Sequence, residues 1–430
     1  MSGKSGKIAQ QICIEGTVAP GFESVKELFE RNMNTLAEEN AQLCIYVGED
    51  KVVDLWASTN GDSDFTADSL VNVFSSGKSL EAIAMASLVS KGLLEYSARI
   101  TDYWPEFGAK GKEQLTVAEL MRHEAGLAAF DVSIETEDLL RANIKLNRVG
   151  SVIEGQAQKF RKGEGKTREY HAVTRGWIIN EVFRRVDPQR RTIGEFLRED
   201  ISEPLGADAV IGVSEGDLGR VAGISPLGFG YHFKESLKPR FLGRKVKDNF
   251  FQLAGKLLRM LPGLRHSTTV GAPAPFKGMK NIESFNDAAV AMGETPSANA
   301  HSTARGLAQI AAVMASGGQW AGTKFLSESA WQALHDDPIK ADMGIRTTFT
   351  QGGVALFPET TQKSSKLDRA ANQGREGFYG WMGLGGSIFQ WHPEEKIGFG
   401  FVPTSLHVLD IVNERGKAYQ SEVLNCLNGK

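Results

Sequence analysis

The sequence has few cysteines and no long apolar run, and both shortages exclude whole classes of protein. Its three cysteines, Cys13, Cys44 and Cys426, are scattered through 430 residues, a pattern that predicts neither a disulfide framework nor a zinc site. No apolar stretch approaches the roughly 18 residues of a transmembrane helix, so no integral membrane segment is expected. The first residues lack the apolar run of a signal peptide. We therefore expect a protein of a reducing compartment, the cytoplasm.

An excess of charge of either sign is also lacking. The 49 lysines and arginines nearly balance 52 aspartates and glutamates, and the net charge of -3 argues against a general nucleic-acid binder. No internal repeat or low-complexity tract is present, which excludes a solenoid. At 430 residues the chain is long enough for a large core, in one large domain or two interleaved ones.

Ser75 and Lys78 stand three residues apart where the apolar spacing predicts a helix from residue 76 to about residue 91. Residues at this spacing share one helix face. A serine hydroxyl becomes a nucleophile when a base takes its proton, and a lysine can be that base when burial lowers its pKa from about 10.4. The helix start also offers backbone N–H groups to an oxyanion. Such a pair also arises by chance, so a plain helix start with a solvated lysine fits equally well.

Ser214 is a second candidate nucleophile. Residues 212–216 fit Gly-x-Ser-x-Gly, the nucleophile elbow of α/β-hydrolases, which needs a buried strand before it and a helix after it. Here the preceding apolar run, residues 209–211, is very short, and Gly219 interrupts the segment where the helix would have to form. The pattern favours a turn, and Ser214 remains the alternative.

Two further motifs are incomplete, and we therefore expect no metal and no cofactor. His123-Glu124 resembles the start of a His-Glu-x-x-His zinc motif, but the second histidine position holds Leu127. Residues 163–167 resemble a phosphate loop, but the leading glycine position holds Phe160.

Strand-like runs lie near both ends of the chain, with helical patterns between them. The runs are residues 43–47, 52–57, 345–350, 387–391 and 397–402. This order predicts an α/β (α+β) fold in which an antiparallel sheet, flanked by helices, is built from residues 1–75 and 340–430. Residues 76–339 form an inserted, mostly helical region. Thr116 and Thr192 each begin a capping box, and Ser302 is the expected cap of a helix from Thr303 to Met314.

The segment 231–265 is basic and amphipathic. It holds nine lysines and arginines against Glu235 and Asp248, with apolar side chains between them. Three interpretations stay open: a lid over a site, a helix on a membrane surface, and a solvated helix packed on the domain.

Several stretches together resemble the serine β-lactamase-like superfamily of class C β-lactamases, penicillin-binding proteins and family VIII carboxylesterases. Each stretch is weak alone, but their order and spacing are specific, and the resemblance runs from about residue 18 to about residue 404. It implies a β-lactamase/transpeptidase-like fold over residues 1–430 as a single unit. The similar segments are Phe74–Lys78, Lys91–Leu94, Trp104–Phe107, Leu120–Leu127, Tyr170–Ala172, Asn299–Arg305 and Tyr379–Ser387.

The resemblance implies a role for each catalytic candidate. Ser75 would be the acylated nucleophile, Lys78 would hold its proton network, and Tyr170 would act with Lys78 as general base and then as acid. A cationic Lys78 is expected to lower the pKa of the Tyr170 phenol. Which of the two groups is ionised at rest stays open, because the pair titrates as a coupled unit. The backbone N–H groups of Ser75 and Leu384 would form the oxyanion hole, with Leu384 on an edge strand.

The substrate-binding candidates also come from the resemblance. Gly383, Gly385 and Gly386 would let the substrate approach the strand closely. Trp381 stands where β-lactamases carry a basic residue that helps to hold a carboxylate, and its apolar ring cannot do this. The residue after His171 is Ala172, where the family often has asparagine. Both departures favour a neutral, partly apolar ester. Three histidines are possible residues of the site wall, with a structural role as the alternative: His123, His171 and His301.

The sequence thus predicts a serine hydrolase that forms an acyl-enzyme on Ser75, a carboxylesterase acting on neutral esters. The expected partner is a small-molecule ester or acyl donor. Open alternatives are an acyltransferase with the same acyl-enzyme, a weak β-lactamase or peptidase, and a catalytically weak scaffold. The oligomeric state is not predicted.

Overall fold

The computed structural model describes residues 12–429 apart from residues 162, 164, 165 and 266. Two residues of the phosphate-loop-like stretch, Glu164 and Gly165, therefore lie outside the described residues. Within the described ranges, no helix is long and apolar enough to cross a bilayer.

The strands are β1 (Ile14–Val18), β2 (Asn40–Val47), β3 (Asp50–Ser58), β4 (Leu70–Asn72), β5 (Ala209–Ile211), β6 (Val221–Ala222), β7 (Ser225–Leu227), β8 (Ala300–Ser302), β9 (Gln319–Trp320), β10 (Thr323–Lys324), β11 (Ile339–Asp342), β12 (Arg346–Phe349), β13 (Ala355–Leu356), β14 (Tyr379–Met382), β15 (Ile388–His392), β16 (Ile397–Pro403) and β17 (Ser405–His407).

Most of the α-helices, α2 to α13, lie between the two groups of sheet strands. The α-helices are α1 (Glu23–Thr35), α2 (Lys78–Ser90), α3 (Val117–Met121), α4 (Arg141–Ile144), α5 (Arg148–Gly155), α6 (Thr174–Val186), α7 (Ile193–Phe196), α8 (Glu203–Leu205), α9 (Phe229–Ser236), α10 (Phe250–Arg265), α11 (Ala288–Met292), α12 (Ala304–Ala315), α13 (Glu328–His335), α14 (Lys366–Asn372) and α15 (Glu414–Leu427).

The main sheet has nine strands in the order β1-β3-β2-β16-β15-β14-β13-β12-β11, and every neighbouring pair is antiparallel. The two ends of the chain meet at its centre, where β2 pairs with β16. The predicted α/β class with an antiparallel sheet is therefore confirmed. A smaller sheet, in the order β5-β8-β4-β6, lies within the helical region.

Helices cover both faces of the main sheet, and the core is therefore split in two. On one face, α1 and α15 contribute Val25, Phe29, Tyr419 and Val423 to one buried cluster. On the other face α12 lies close to β16. This approach requires glycine at position 398, because a Cβ there would collide with the α12 backbone. Burial of these apolar side chains from water is the main force that holds the layers together.

Helix α2 runs through the centre of the second core. Its residues from Lys78 to Leu88 are all buried, including the polar ones. A helix buried on every side is held by its neighbours more than by its own amphipathicity. The N–H of Val73, just before this helix, donates to the carbonyl of Ala300 at 2.8 Å. The small sheet thus anchors the residues that lead into α2.

Most of the local predictions are confirmed, and two are wrong. The capping boxes at Thr116 and Thr192 form as predicted. The cap of α12 is Thr303, whose side chain accepts from the Gly306 N–H, and not Ser302. Ser302 lies in β8 and donates to the carbonyl of Asp208 instead. The second error concerns the strand before Leu384: β14 is an internal strand, because the short strands β11, β12 and β13 extend the sheet beyond it.

Candidate active site

Ser75 lies in a single 3-10 turn, Phe74–Gly77, that leads directly into α2. The residue before it, Phe74, has a φ of 45°, which is unusual for a residue with a side chain. Two contacts hold Phe74 there: its N–H donates to Asn72 Oδ1 at 2.8 Å, and its ring packs edge-on against Phe285. Strain of this kind persists only where the surroundings enforce it, and it is concentrated at functional sites.

Lys78 is buried beside Ser75, and its amine has three partners. Its Nζ lies 2.7 Å from the carbonyl oxygen of Ala172 and 2.9 Å from that of Ser297. The third partner is Ser75 Oγ, at 3.3 Å. Burial holds the pKa of Lys78 well below its usual value, which favours the neutral amine. A neutral amine has two N–H donors, so the two carbonyls can use both and leave the lone pair for Ser75.

A buried ion pair beneath Lys78 fixes its surroundings. Glu81, one turn further along α2, pairs with Arg175 at 3.0 Å, and both side chains are fully buried. Arg175 also donates to the carbonyl of Lys78, and the hydroxyl of Ser297 donates to Glu81. Breaking such a pair is costly, because it leaves an uncompensated buried charge. The pair therefore holds Lys78 and one of its two carbonyl acceptors in place.

The phenol of Tyr170 also lies beside the Ser75 hydroxyl. It is hydrogen bonded to Ser75, and it accepts a hydrogen bond of 2.8 Å from the indole N–H of Trp381. Lys78 Nζ lies 4.9 Å from the centre of the Tyr170 ring. Burial raises the pKa of Tyr170 to about 12, although the two hydrogen bonds oppose this. The prediction that Lys78 would lower the pKa of this phenol is therefore wrong, because burial outweighs every other influence.

Among the described residues, neither the N–H of Ser75 nor that of Leu384 donates to a backbone carbonyl in the loops, turns and caps. Leu384 follows β14 in the turn after its end, and its side chain is 38% exposed. These are the two donors that the family resemblance assigns to the oxyanion hole. Donors of this kind stabilise an oxyanion by roughly 3 kcal/mol each.

The glycines after Trp381 are required by the packing of the protein on itself. A Cβ on Gly383 would collide with the carbonyl of Val73. Gly385 has a φ of +78°, and a Cβ there would collide with Leu406. The substrate-binding role of these glycines stays a prediction, and the packing is a separate reason for glycine at both positions. Both glycines nevertheless line a cavity.

The three predicted histidines are all buried, and only one of them contacts a catalytic candidate. The ring of His123 lies 4.8 Å from that of Tyr170. His171 Nδ1 donates to the carbonyl of Glu169, and burial lowers the pKa of His171 to about 4. His301 lies in β8, within the small sheet.

Two cavities meet at Tyr170 and Met343, which line both. The larger, of about 1270 Å³, is bounded by polar and apolar residues that include Ala172, Lys159 and Arg259. The smaller, of about 370 Å³, lies beside Leu384 and is mainly apolar. None of the three predicted histidines lines either cavity. The apolar lining of the smaller cavity includes Ile345, Leu356, Phe357, Met382, Ile411 and Val412.

Ser214 lies apart from these groups. It follows the three-residue strand β5 and begins a 3-10 turn, and its hydroxyl donates to Asp217 at 2.6 Å. No strand-to-helix elbow forms, because the turn continues into the short strand β6. Among the described residues, no group of three or more histidine, cysteine or acidic side chains is arranged to hold a metal.

Sequence reasoning missed the groups that hold Lys78. The carbonyls of Ala172 and Ser297 come from 94 and 219 residues away, and every residue carries a carbonyl, so no sequence signal marks them. The Glu81–Arg175 pair is also distant in sequence. The one available hint was Glu81 at i+3 from Lys78, inside an otherwise apolar helix.

The family model "Beta-lactamase" matches residues 25–421. The chain is 28% identical over 404 residues to "Esterase/beta-lactamase LipL" of Mycobacterium tuberculosis (strain ATCC 25618 / H37Rv), a match that covers 91% of this chain and 83% of that protein.

Solved structures share the architecture over nearly the whole chain. A family VIII carboxylesterase is 25% identical with a TM-score of 0.75, covering 96% of this chain and 100% of that one. A penicillin-binding protein homologue from Caulobacter crescentus is 25% identical with a TM-score of 0.70, covering 95% and 100%. A class C β-lactamase from Rhodobacter sphaeroides, 15% identical with a TM-score of 0.56 over 95% and 99%, shows the shared fold alone.

Proposed function

The chain belongs to the beta-lactamase family, and from that premise we propose that it is a serine hydrolase that cleaves neutral carboxylic esters through an acyl-enzyme on Ser75. The observation that carries the proposal is the contact of 3.3 Å between Lys78 Nζ and Ser75 Oγ, with both remaining amine contacts made to carbonyls. A neutral amine so placed is a base aimed at one hydroxyl.

In the first step, Ser75 Oγ attacks the ester carbonyl carbon while its proton passes to Lys78. The carbonyl π electrons move onto oxygen, and the N–H groups of Ser75 and Leu384 donate to the resulting oxyanion. The tetrahedral intermediate then collapses and the bond to the alcohol oxygen breaks. Tyr170, a neutral phenol at pH 7 because its pKa is raised to about 12, gives its proton to the leaving alkoxide. The Lys78 ammonium returns a proton to Tyr170.

Deacylation repeats these steps with water in place of Ser75. Water attacks the acyl carbon as its proton passes through Tyr170 and Lys78, and Ser75 Oγ leaves and regains a proton. The carboxylic acid then departs. The family membership and the esterase in the name of the Mycobacterium tuberculosis relative support ester hydrolysis as the reaction.

The two cavities suggest how the ester lies. The smaller, mainly apolar cavity borders Leu384, an oxyanion donor, and suits an apolar acyl group. The larger cavity, bordered by Ala172 next to Tyr170, suits the alcohol part. Trp381 presents an apolar ring, and its N–H donates to the phenol oxygen of Tyr170. It therefore offers no charge to a substrate carboxylate. This arrangement favours a neutral ester over a β-lactam.

An acyltransferase using the same acyl-enzyme is the second candidate. The larger cavity, at about 1270 Å³, exceeds what a water molecule needs and has room for an alcohol or amine acceptor. Product analysis with such acceptors present separates the two reactions: transfer yields a new ester or amide, and hydrolysis yields the acid alone.

Steady-state kinetics with p-nitrophenyl esters and nitrocefin test the proposal. The wild type is expected to cleave the esters and to leave nitrocefin nearly intact. Ser75→Ala is expected to lose ester turnover, and Ser214→Ala, the matched control, is expected to retain it. Turnover that survives Ser75→Ala would contradict the proposal.

The cytoplasmic location and the division into domains stay predictions.

A further inference from the structure

Helices α9 and α10, with the turn between them, carry an unusual concentration of exposed apolar side chains. Of the twelve large apolar side chains that are exposed among the described residues, eight lie between residues 229 and 261. Monomeric proteins rarely expose apolar groups in such a cluster unless it binds something. The eight are Phe229, Phe233, Leu237, Phe241, Leu242, Phe251, Leu258 and Leu261.

Aromatic contacts join three of these side chains through a fourth ring, that of Phe250. Phe229 stacks on Phe233 with ring centres 6.5 Å apart. Phe233 meets Phe250 edge-on at 5.7 Å, and Phe250 meets Phe251 at the same distance. The four rings form a continuous ridge from α9 to α10. We call this surface, from Phe229 to Leu261, the α9–α10 face.

The apolar side of α10 points away from the protein. Phe251 and Leu258 are seven residues apart, so they lie on one side of the helix. They are 83% and 65% exposed, whereas Leu253, on the opposite side, is buried. A helix that only covers a core turns its apolar stripe inward. Helix α10 instead presents a second apolar stripe to its surroundings.

The charge of the same segment is opposite to that of the rest of the chain. Residues 231–265 hold nine of the 49 lysines and arginines and two of the 52 acidic residues, a formal charge of +7 in a chain of net charge -3. Both acids have a lysine partner: Glu235 pairs with Lys238, and Asp248 with Lys256. Exposed basic side chains remain at Lys234, Arg240, Lys245 and Arg259.

The α9–α10 face borders the larger cavity of the candidate site. Arg259 of α10 lines that cavity, together with residues 267–269, which come after the helix. A surface that holds this face would therefore lie beside the cavity.

We propose that the α9–α10 face docks the protein on a membrane surface that carries anionic phospholipid. Aromatic and leucine side chains surrounded by lysine and arginine are the features of a helix that lies in the interface plane. Anionic lipid attracts the exposed cations while the apolar side chains enter the headgroup region. A second copy of this chain is the poorer occupant, because it would bring another charge of +7 against the first.

Vesicle co-sedimentation tests the proposal, using phosphatidylcholine vesicles with and without phosphatidylserine. The wild type is expected to bind the anionic vesicles, to bind neutral vesicles about tenfold more weakly, and to be released by salt. The double variant Phe241→Ser/Phe251→Ser, which removes the two most exposed rings, is expected to lose at least that much binding. Leu146→Ser, an exposed leucine outside the face, is the matched control and is expected to bind like the wild type.

Further measurements keep the outcome clear. Circular dichroism and turnover of a soluble ester are expected to be unchanged in the double variant, which shows that it folds. Ser75→Ala is expected to bind vesicles normally, so docking is tested apart from catalysis. Equal vesicle binding by the wild type and the double variant would overturn the proposal. The proposal would also be overturned if the wild type bound no vesicles and instead formed a dimer that the double variant does not form. Sedimentation equilibrium would show this.

Discussion

The indole N–H of Trp381 donates to the phenol oxygen of Tyr170 at 2.8 Å. This bond gives Trp381 a polar contact with a catalytic candidate, although its ring carries no charge. The N–H stabilises negative charge on the phenol oxygen, and it is one of the two hydrogen bonds that lower the Tyr170 pKa against the effect of burial. We infer that Trp381 positions the proton donor, and that its ring forms part of the apolar surface beside it.

Replacement of Trp381 by phenylalanine is expected to lower kcat about tenfold. The ring remains, but one hydrogen bond to Tyr170 is lost, and such a bond is worth about 1.5 kcal/mol when a charge develops on its acceptor. KM for a neutral ester is expected to change little, because the apolar surface stays. Steady-state kinetics measure both constants.

Trp391→Phe is the matched control. The N–H of this buried tryptophan also donates to a side chain, His335 Nε2, at 2.9 Å, but Trp391 lines neither cavity. It is expected to lose stability with kcat unchanged. If the two variants lowered kcat equally, the positioning role of Trp381 would be wrong.

Replacement of Lys78 by arginine tests whether the amine acts as a base. Arginine keeps a positive charge but does not lose its proton in a protein, so kcat/KM is expected to fall by roughly 10²- to 10⁴-fold. A fixed-cation role for Lys78 would instead leave much of the activity in this variant.

The pH profile of the wild type depends on the same assignment. The base form of Lys78 is the active one, so kcat/KM is expected to rise with pH as the ammonium loses its proton. Because burial lowers the Lys78 pKa, this rise is expected well below the usual lysine value of 10.5. The profile is then level until Tyr170 ionises near its pKa of about 12. A rise centred on the ordinary lysine pKa would show that the amine is charged at neutral pH.

Replacement of Gly383 by alanine is expected to cost about 1–3 kcal/mol of unfolding free energy, because the new Cβ collides with the carbonyl of Val73. Since Gly383 adjoins Leu384, turnover is expected to fall as well. Urea denaturation measures the first effect. Gly155→Ala, at a position with no atom within 4 Å of the added Cβ, is the control and is expected to be neutral or slightly stabilising.

Replacement of Leu356 by tryptophan is expected to fill part of the 370 Å³ cavity. The variant should retain turnover of acetyl esters and lose turnover of longer acyl chains, as a plot of kcat/KM against chain length would show. Val132→Trp, in the larger cavity, is expected to change discrimination between alcohol parts instead. An unchanged acyl preference in Leu356→Trp would place the acyl group elsewhere.

Much of this fold could be predicted from local sequence signals. Apolar periodicity marked α2, strand-like runs marked β15 and β16, and side-chain chemistry marked the capping box at Thr116. These signals depend on residues within a few positions of one another. The internal position of β14 was missed because β11 and β13, with four and two residues, are too short to show a pattern. Only β12 matches a predicted run, residues 345–350.

The residues that make up the candidate site could be predicted from the sequence, but their charge states could not. The sequence motifs predict Ser75, Lys78 and Tyr170, and the structure brings the three together. Their charge states depend on burial, which no short motif encodes. The left-handed backbone of Phe74 was likewise hidden, because phenylalanine is not a residue type that indicates a positive φ.

Labelling with a fluorophosphonate, followed by digestion and mass spectrometry, tests the central claim most directly. The reagent phosphonylates an activated serine, so we predict one modified peptide, with the added mass on Ser75, and none in Ser75→Ala. Ser214→Ala is expected to be labelled like the wild type. A modification that persists in Ser75→Ala, or that maps to Ser214, would contradict the assignment of Ser75 as the nucleophile.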